Sequence, residues 1–519
     1  MERGKTKDET LSCFGLTMKI TLISPRIAVQ KGDFFGSGVP YWPIELAILS
    51  AFLRDRGDEI SVIDLFGSSP TTLEEVDDHY LQGKPFESFT GTPSVAKAEM
   101  FILFALSYMA HREILSIART LKGLRPDITL CVLENSYAVT AYSIPQVAED
   151  FFQSGVYALL CGEVYWNWDE ILEFLKNKNI AKIPENVLTP VLPKDYKIKR
   201  KINKNPTYPI PEWDLFNLKN YWSIPYSHGP KTKQYFPILT SRGCPYSCDF
   251  CVVPETNLRQ WRGRAPEEVV KEMIILRDRF GVRHFQIEDL NPTVNGARWE
   301  EICRLLIEQK AGIFFYFVSG TKAETIQIDQ IPLYAEAGCR YISISPESGS
   351  PNVVKAMGKS FDHTHGLRLI EACHKYGIYT QACFLVGHPS ESPEDHRLSC
   401  EYLRAMVCSG LDEVAVFVIA PFAGSLLYKH NSIKMTPSTM LTSFSPKGRE
   451  GWNELSRRRK ELVRIFFTER LKRGAGIWIQ GIRALLGIPR TKMENLPRRI
   501  MFIYSLVLKY YIQRLLTLK

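Results

Sequence analysis

The sequence of 519 residues contains no run of about 18 or more uncharged apolar residues, so it predicts no helix that crosses a membrane. Its first residues are polar and lack the apolar core of a secretory signal peptide. Most of the twelve cysteines are scattered singly, which argues against a disulfide framework and favours a reducing compartment. We therefore expect a soluble, cytoplasmic protein.

A net positive charge is missing from most of the chain, although the net charge of the whole chain is +9. From Lys447 to Lys519 there are 18 Lys and Arg against 5 Glu, so the rest of the chain is slightly negative. Enzymes that act on nucleic acid more often spread positive charge over the active-site face. No nucleic-acid partner is expected.

The length is too great for one ordinary hydrophobic core. Five short apolar strands alternate with helical segments in residues 18–178, which predicts a doubly wound, parallel, Rossmann-like sheet. A Pro- and Lys-rich linker is expected over residues 179–235, with Trp213, Phe216, Tyr221 and Trp222 anchoring it. The alternation resumes over residues 236–430, and a basic helical region fills residues 431–519.

The second α/β region has six predicted strands with five helices between them, which indicates a partial (β/α)6 TIM-like barrel open on one side. The strands are Phe236–Ser241, Arg283–Glu288, Ile313–Val318, Tyr341–Ser345, Tyr379–Val386 and Glu413–Ile419. Barrel chemistry is carried by the loops at the carboxyl ends of the strands. We therefore look for functional residues in those loops.

Three cysteines follow the first barrel strand in the segment Ser241–Pro254, which reads SRGCPYSCDFCVVP. Cys244, Cys248 and Cys251 have the spacing C-x3-C-x2-C. Three thiolates in one loop can bind three corners of a cubane iron–sulfur cluster, and without a nearby fourth cysteine one iron stays open. The alternatives are a zinc site or three core cysteines, but zinc usually takes four ligands, often as paired C-x2-C units.

This motif, C-x3-C-x-aromatic-C after a short strand, resembles that of the radical S-adenosylmethionine (radical SAM) enzymes. The resemblance implies that Cys244, Cys248 and Cys251 bind a 4Fe–4S cluster. It also implies that the open iron binds the amino and carboxylate groups of S-adenosylmethionine. The reduced cluster of that family cleaves a carbon–sulfur bond and releases a 5′-deoxyadenosyl radical.

Other predicted strand ends also match this family. The turn Ser345–Gly349 (SPESG), the segment Gly387–Pro389 (GHP) and the segment Pro421–Ser425 (PFAGS) follow the fourth, fifth and sixth strands. The resemblance implies that Ser345 and Glu347 lie near the ribose or methionine of S-adenosylmethionine, and that Asp289 helps to hold its amino group. It places Gly387 under the adenine and Phe250 beside it.

Two histidines and two further cysteines are interpreted individually. His388 lies on the predicted rim and is a candidate for substrate contact, although a turn residue there can be purely structural. Cys339 and Cys383 lie beside or within strands, where core positions are expected. His79 is interpreted as a surface histidine.

The first domain resembles the cobalamin-binding domain that precedes many radical SAM cores. The resemblance rests on Pro25, Pro43, the apolar segment Leu46–Leu53 and the Cys161-Gly162-Glu163 turn. The family's D-x-H-x-x-G box is not found. Leu133-Glu134-Asn135-Ser136 replaces the usual Gly-rich turn, and these larger side chains would narrow the site. Bound cobalamin and a degenerate domain that only shapes the cavity both remain open.

The basic C-terminal region contains an amphipathic helix at Leu455–Leu471 and a second apolar stretch at Ile500–Leu508. Such helices either pack on the barrel as a cap or lie in a membrane interface. A membrane contact would place the protein at the periphery of the inner membrane face.

The resemblance implies methyl transfer to an unactivated carbon, with a 4Fe–4S cluster, S-adenosylmethionine and cobalamin. A cobalamin-independent oxidoreductase or cyclase and a non-catalytic iron–sulfur scaffold are the alternatives. The expected partners are a reductant such as flavodoxin or ferredoxin and a small-molecule or lipid substrate.

Overall fold

The computed structural model describes residues 17–33, 37–138, 140–435, 439–442, 444–446 and 448–517. Two six-stranded sheets, each covered by helices, make up the body. No described helix is long and apolar enough to span a bilayer.

The first sheet contains five parallel strands and one short antiparallel edge strand. The central run MFILFA is buried throughout, as expected for a strand covered on both faces. The strands are β1 (Lys19–Ser24), β3 (Glu59–Asp64), β6 (Met100–Ala105), β7 (Thr129–Glu134), β8 (Ala158–Leu160) and β9 (Val187–Leu188). The helices are α1 (Ile44–Asp55), α2 (Leu65–Ser68), α3 (Pro93–Ala96), α4 (His111–Leu124), α5 (Ala148–Gln153) and α6 (Trp168–Asn177).

The strand order of this sheet is β3-β1-β6-β7-β8-β9. Among the parallel strands, β3 lies on one side of β1, and β6 lies on the other side. This is the flavodoxin-like order, in which the chain reverses direction across the sheet between β1 and β6. Ligands of such sheets bind beyond the carboxyl ends of the strands at this switch point.

A small antiparallel sheet lies beside the first domain and consists of β2 (Ile27–Gln30), β4 (Leu73–Val76) and β5 (His79–Gln82). His79 begins β5 and is 2% exposed, with Nδ1 3.1 Å from an Asp78 carboxylate oxygen. The interpretation of His79 as a surface histidine was therefore wrong. Nothing in the sequence indicated this burial, because β4 and β5 form a hairpin in a polar stretch that shows no apolar alternation. A tight turn, with Asp77 at φ 48°, joins the two strands.

The connector between the two sheets is fixed by aromatic side chains around Trp42. The Trp42 ring lies 4.3 Å from that of Tyr221, which belongs to the short helix α7 (Leu218–Ser223), and 5.4 Å from that of Trp213. Trp213 also stacks 5.6 Å from Phe236 at the start of the barrel. Aromatic rings of the connector thus pack between the two domains.

Asp64 at the end of β3 gives this region a pH-dependent stability. Its carboxylate accepts hydrogen bonds from Gly67 N at 3.0 Å and from the Tyr221 hydroxyl at 2.8 Å, yet burial raises the pKa of Asp64 to about 6. The unfolded pKa is about 3.9, so folding favours the protonated form. The stabilising contribution is complete below about pH 4 and is lost as the pH rises through about 6.

We therefore expect Asp64→Asn, which cannot ionise, to gain stability over the unaltered protein as the pH rises. The gain should increase by about 1 kcal/mol between pH 5 and pH 8. Urea unfolding of both proteins at the two pH values measures it. A difference that does not change with pH would contradict the assignment.

The second sheet is entirely parallel, with its strands in sequence order and no pairing between the first and the last. The predicted six-stranded open barrel is confirmed. Its strands are β10 (Phe236–Ile238), β13 (His284–Ile287), β14 (Phe314–Thr321), β15 (Cys339–Glu347), β16 (Tyr379–Val386) and β17 (Glu413–Val418). A two-stranded ribbon of β11 (Ser241–Arg242) and β12 (Arg262–Gly263) follows the first strand. The helices are α8 (Val253–Thr256), α9 (Pro266–Phe280), α10 (Gly296–Glu308), α11 (Ile331–Ala337), α12 (Pro351–Ala356), α13 (His363–Lys375), α14 (Pro393–Cys408) and α15 (Leu426–Lys429).

The C-terminal region forms three helices, α16 (Trp452–Lys472), α17 (Gly476–Leu486) and α18 (Leu496–Thr517). Leu462 and Phe466 of α16 are fully buried, and the helix packs on α14 and β17. The first amphipathic helix of this region is therefore a cap on the barrel. The helix α17 was not foreseen in the sequence, where four glycines between residues 474 and 487 interrupt the helical pattern.

Candidate active site

The cysteine loop leaves β11 through Gly243, whose φ is +76°. A Cβ at this position would lie 2.1 Å from the carbonyl oxygen of Gln260, so both the conformation and the space require glycine. The loop is held by backbone hydrogen bonds, from Asp249 N to Met357 O at 3.0 Å and from Leu427 N to Asp249 O at 3.1 Å. The barrel thus holds the loop at Asp249, directly after Cys248.

Cys244, Cys248 and Cys251 line one wall of a cavity between the two domains. The cavity encloses about 1510 Å³, including its open mouth. Burial raises the pKa of Cys248 to about 11, and it also raises the pKa values of Cys244 and Cys251. These thiols need a positively charged centre beside them to become thiolates.

The spacing of the sulfur atoms decides between a zinc ion and a cluster. In the described part of the chain, the only group of three potential ligands whose donor atoms all lie within 4.8 Å of one another is His396, Cys400 and Glu461, away from the loop. The three loop cysteines are therefore too far apart to meet at one zinc ion. A cubane spreads its ligands over several iron atoms, so the loop suits a cluster better.

Asp289 lies beneath the loop and does not line the cavity. Its buried carboxylate accepts hydrogen bonds from Thr240 N and Thr240 Oγ1, both at 2.7 Å, and from the Ser241 hydroxyl. Burial raises the pKa of Asp289, and these hydrogen bonds oppose that rise. In this structure Asp289 ties the end of β10 to the start of the cysteine loop.

Glu347 and Ser345 line the cavity at the end of β15 and share one lysine. Lys359 Nζ donates to Glu347 Oε1 at 2.7 Å and to Ser345 Oγ at 2.9 Å. Burial alone would lower the pKa of Lys359, but Glu347 and Cys248 outweigh it and the pKa is raised. Glu347 has a φ of +64°, an uncommon conformation for a residue with a side chain, and such strain often marks functional sites.

The remaining predicted rim residues divide into two groups. Phe250 lines the cavity and packs against a small apolar cluster that includes Val353 and Met357. Gly387 and His388 do not line it. Arg449 donates to the Gly387 carbonyl, and His388 Nε2 lies 2.9 Å from Asp249 Oδ2. In this structure His388 holds the cysteine loop and does not face the cavity.

Three cavity residues were not assigned to the site from the sequence, two of them because they come from distant parts of the chain. His228 of the connector donates or accepts through Nδ1, 2.7 Å from Glu288 Oε2. Lys492, between α17 and α18, donates to the Val318 carbonyl, and burial lowers its pKa. Cys383, which the sequence placed in the core, is half-buried and lines the cavity beside Lys492. No local motif marks these residues.

The first domain meets the cavity at its switch point. Val39 and Tyr41 follow β1 and β2, Met109 follows β6, and Thr140 lies in the loop after β7; these four residues form the wall contributed by this domain. The carboxyl ends of β7 and β8 are closed by direct contacts instead. Glu134 at the end of β7 is fully buried and accepts from Arg200 Nε at 2.7 Å and Nη2 at 2.8 Å.

Contacts with the barrel complete this closed edge. Arg242 Nη2 lies 3.0 Å from Glu45 Oε2, and Asn257 donates through Nδ2 to the Ser136 carbonyl. The part of the cavity that this domain lines thus lies by the loops after β1 and β6 and reaches Thr140 in the loop after β7.

Comparison with known proteins bears on this architecture. Residues 238–403 match the model of the radical SAM superfamily. An uncharacterized methyltransferase of Pyrococcus horikoshii is 23% identical over 345 residues, which cover 60% of this chain and 71% of the relative. An anaerobic magnesium-protoporphyrin IX monomethyl ester cyclase of Synechocystis is 27% identical over 218 residues. That match covers 42% of this chain and 41% of the cyclase, so the chain spans less than half the length of that relative.

A solved structure extends the likeness to both α/β domains. The radical S-adenosylmethionine methyltransferase TsrM from Kitasatospora setae, determined with cobalamin and a [4Fe-4S] cluster bound, superposes with a TM-score of 0.58 at 15% identity. The match covers 80% of this chain and 75% of TsrM. At this identity the likeness shows the fold, while the family match includes the cysteine loop. Residues 238–403 are therefore a radical SAM domain, and the barrel together with the domain that precedes it shares the fold of TsrM.

Proposed function

We propose that this enzyme methylates an unactivated carbon of an apolar substrate, using a 4Fe–4S cluster, S-adenosylmethionine and cobalamin. The observation that carries the proposal is the cavity itself. The cysteine loop forms one wall, and the switch point of the flavodoxin-like sheet forms part of the opposite wall. A substrate between them would face both domains.

On the barrel side, we propose Cys244, Cys248 and Cys251 as the cluster ligands. Glu347 and Ser345, oriented by Lys359, are placed to accept hydrogen bonds from the polar groups of S-adenosylmethionine. Phe250 supplies an apolar surface beside them, while Asp289 and Gly387 act by positioning the loops. The cluster and S-adenosylmethionine supply the radical, and the protein supplies position and a cavity shielded from water.

On the other side, the residues present fit a large planar group at only one place. Val39, Tyr41 and Met109 leave an apolar wall at the switch point, where such sheets bind ligands. The Glu134–Arg200 pair prevents the same group from lying over β7. We propose that Val39, Tyr41 and Met109 hold cobalamin, which would supply methyl-transfer chemistry when bound.

The substrate is proposed to be a small molecule or lipid with an apolar body and a polar group. Much of the remaining cavity wall is apolar, with Leu385, Phe417 and Phe422 among its residues. Lys492 and the His228–Glu288 pair lie among these residues and would orient the polar group. The reducing electron is proposed to come from an external protein such as flavodoxin or ferredoxin.

Anaerobic purification tests the methylation proposal. We expect the protein to retain a corrinoid. We also expect it, with S-adenosylmethionine carrying a deuterated methyl group, to convert a compound in extracts of its source cells into a product heavier by that methyl group. Mass spectrometry measures both. A product with fewer or rearranged hydrogens and no added methyl group would overturn the proposal.

The second candidate is a cyclase or oxidoreductase that uses the 5′-deoxyadenosyl radical without cobalamin. The likeness to the cyclase of Synechocystis favours it, as does the closed edge at β7 and β8. This second hypothesis predicts that the protein forms 5′-deoxyadenosine and contains no corrinoid.

A further inference from the structure

The last two helices expose an unusual amount of apolar surface. Fifteen of the 22 exposed large apolar side chains in the described residues lie between Phe467 and Leu516. The other seven are spread over the rest of the described chain, where single exposed apolar residues are normal. Contiguous exposed apolar patches in a soluble protein mark interaction surfaces.

The helix α17 turns its apolar side outward. Trp478, Ile482 and Leu485 follow helical spacing on one face and are 67%, 57% and 77% exposed. On the opposite face Gln480 and Ala484 are buried, and Gln480 Nε2 donates to the Asp412 carbonyl at 3.2 Å. The helix is therefore docked through its polar and small residues, and its apolar stripe has no partner within the described chain.

The helix α18 repeats this arrangement over a greater length. Ile503 and Leu506 face inward and are buried. An outward stripe recurs at intervals of three and four residues: Met501, Tyr504, Leu508, Tyr511, Ile512 and Leu515. Because α17 and α18 contact each other, the two stripes belong to one region of the surface.

The segment that carries these stripes is strongly basic, although Glu75 of β4 lies beside α18, where it accepts a hydrogen bond from the Tyr511 hydroxyl at 3.2 Å and pairs with Arg514 Nη1 at 3.3 Å. Residues 474–517 contain seven Lys and Arg and a single acidic residue, Glu494. Glu494 is buried and paired with Arg483 Nη2 at 2.6 Å. Arg490, Arg498 and Lys509 are exposed. A second copy of this surface would bring like charges together, whereas anionic lipid headgroups would neutralise them.

We propose that α17 and α18 form a docking surface for an anionic lipid bilayer. The apolar stripes enter the boundary between headgroups and acyl chains, with Trp478, Tyr504 and Tyr511 at the interface. Arg490, Arg498 and Lys509 contact the headgroups. The protein lies on the membrane and does not span it. This proposal is independent of methyl transfer, because it concerns only the outer surface.

Vesicle flotation of the full-length protein tests it. With vesicles of phosphatidylcholine and phosphatidylglycerol we expect the protein to float, and to do so much less with phosphatidylcholine alone or at high salt. Ile482→Glu with Leu485→Glu should lower the partition coefficient about tenfold or more. The matched control is Ile180→Glu with Val191→Glu, two exposed apolar residues elsewhere, which should float like the unaltered protein.

Two results would overturn the proposal. One is the absence of flotation on anionic vesicles, or equal flotation of the unaltered and the Ile482→Glu/Leu485→Glu proteins. The other is a dimer, seen by light scattering without vesicles, that the same double substitution converts to a monomer. In that case a second copy would be the occupant. Both substituted positions are exposed, and circular dichroism checks that each variant is folded.

Discussion

The substitution Cys248→Ala is expected to abolish the cleavage of S-adenosylmethionine, with a loss of about a thousandfold or more. Cys248 is the middle cysteine of a loop that the barrel holds through the backbone of Asp249, so the substitution removes the sulfur atom without moving the loop. The variant should fold, because neither these backbone hydrogen bonds nor the contact between Asp249 and His388 involves the Cys248 side chain. The measurements are 5′-deoxyadenosine formation under a strong reductant and the iron content of the reconstituted protein.

Cys408→Ala is the matched control, since Cys408 is exposed at the end of α14, away from the loop. It should keep both iron and activity. Unchanged cleavage by Cys248→Ala would contradict the assignment of the loop. A protein that binds iron but never cleaves S-adenosylmethionine would instead support the iron–sulfur scaffold.

The substitution Arg200→Met is expected to lower the free energy of unfolding by about 3–5 kcal/mol. It leaves the Glu134 carboxylate buried at the end of β7 without its countercharge. Burial alone would lower the pKa of Arg200, but Glu134 outweighs it and the pKa is raised, so the guanidinium of Arg200 stays charged. Urea unfolding followed by circular dichroism measures the loss.

A double variant separates the cost of an unpaired charge from the value of the pair itself. Glu134→Gln keeps an oxygen that can accept the hydrogen bond from Gly162 N, which lies 3.2 Å from Glu134 Oε2. Combined with Arg200→Met, it should recover about half or more of the stability lost by the single substitution. If the double variant is no more stable than Arg200→Met, the unpaired carboxylate is not the cause.

The elements were predictable from the sequence where local chemistry determines them. Each barrel strand carries apolar residues at consecutive or alternating positions, and the loop with three cysteines is a specific motif. What the sequence does not show is which distant segments meet. Lys492 and His228 reach the cavity only because the C-terminal region and the connector fold back over the barrel.

The predicted site residues divide in the same way, into those whose place follows from local sequence and those whose direction depends on distant partners. Residues next to the cysteines in sequence, such as Phe250, lie in the cavity, and so does Glu347 at a strand end. Asp289 and His388 have the right position along the chain, but their side chains turn toward the loop backbone and Asp249. The direction of a polar side chain depends on its hydrogen-bond partners, and motif spacing does not encode it.

The Lys492 side chain has a consequence for the order in which the protein matures. The cysteine loop is synthesised more than 200 residues before Lys492. Arg499 reaches back to the carbonyl of Ser37 across 462 positions. Contacts of such sequence separation form late, because the cost of loop closure grows with length. We therefore expect the cavity to be completed late in folding, so that a cluster can be delivered to the cysteine loop before the final helices close the site.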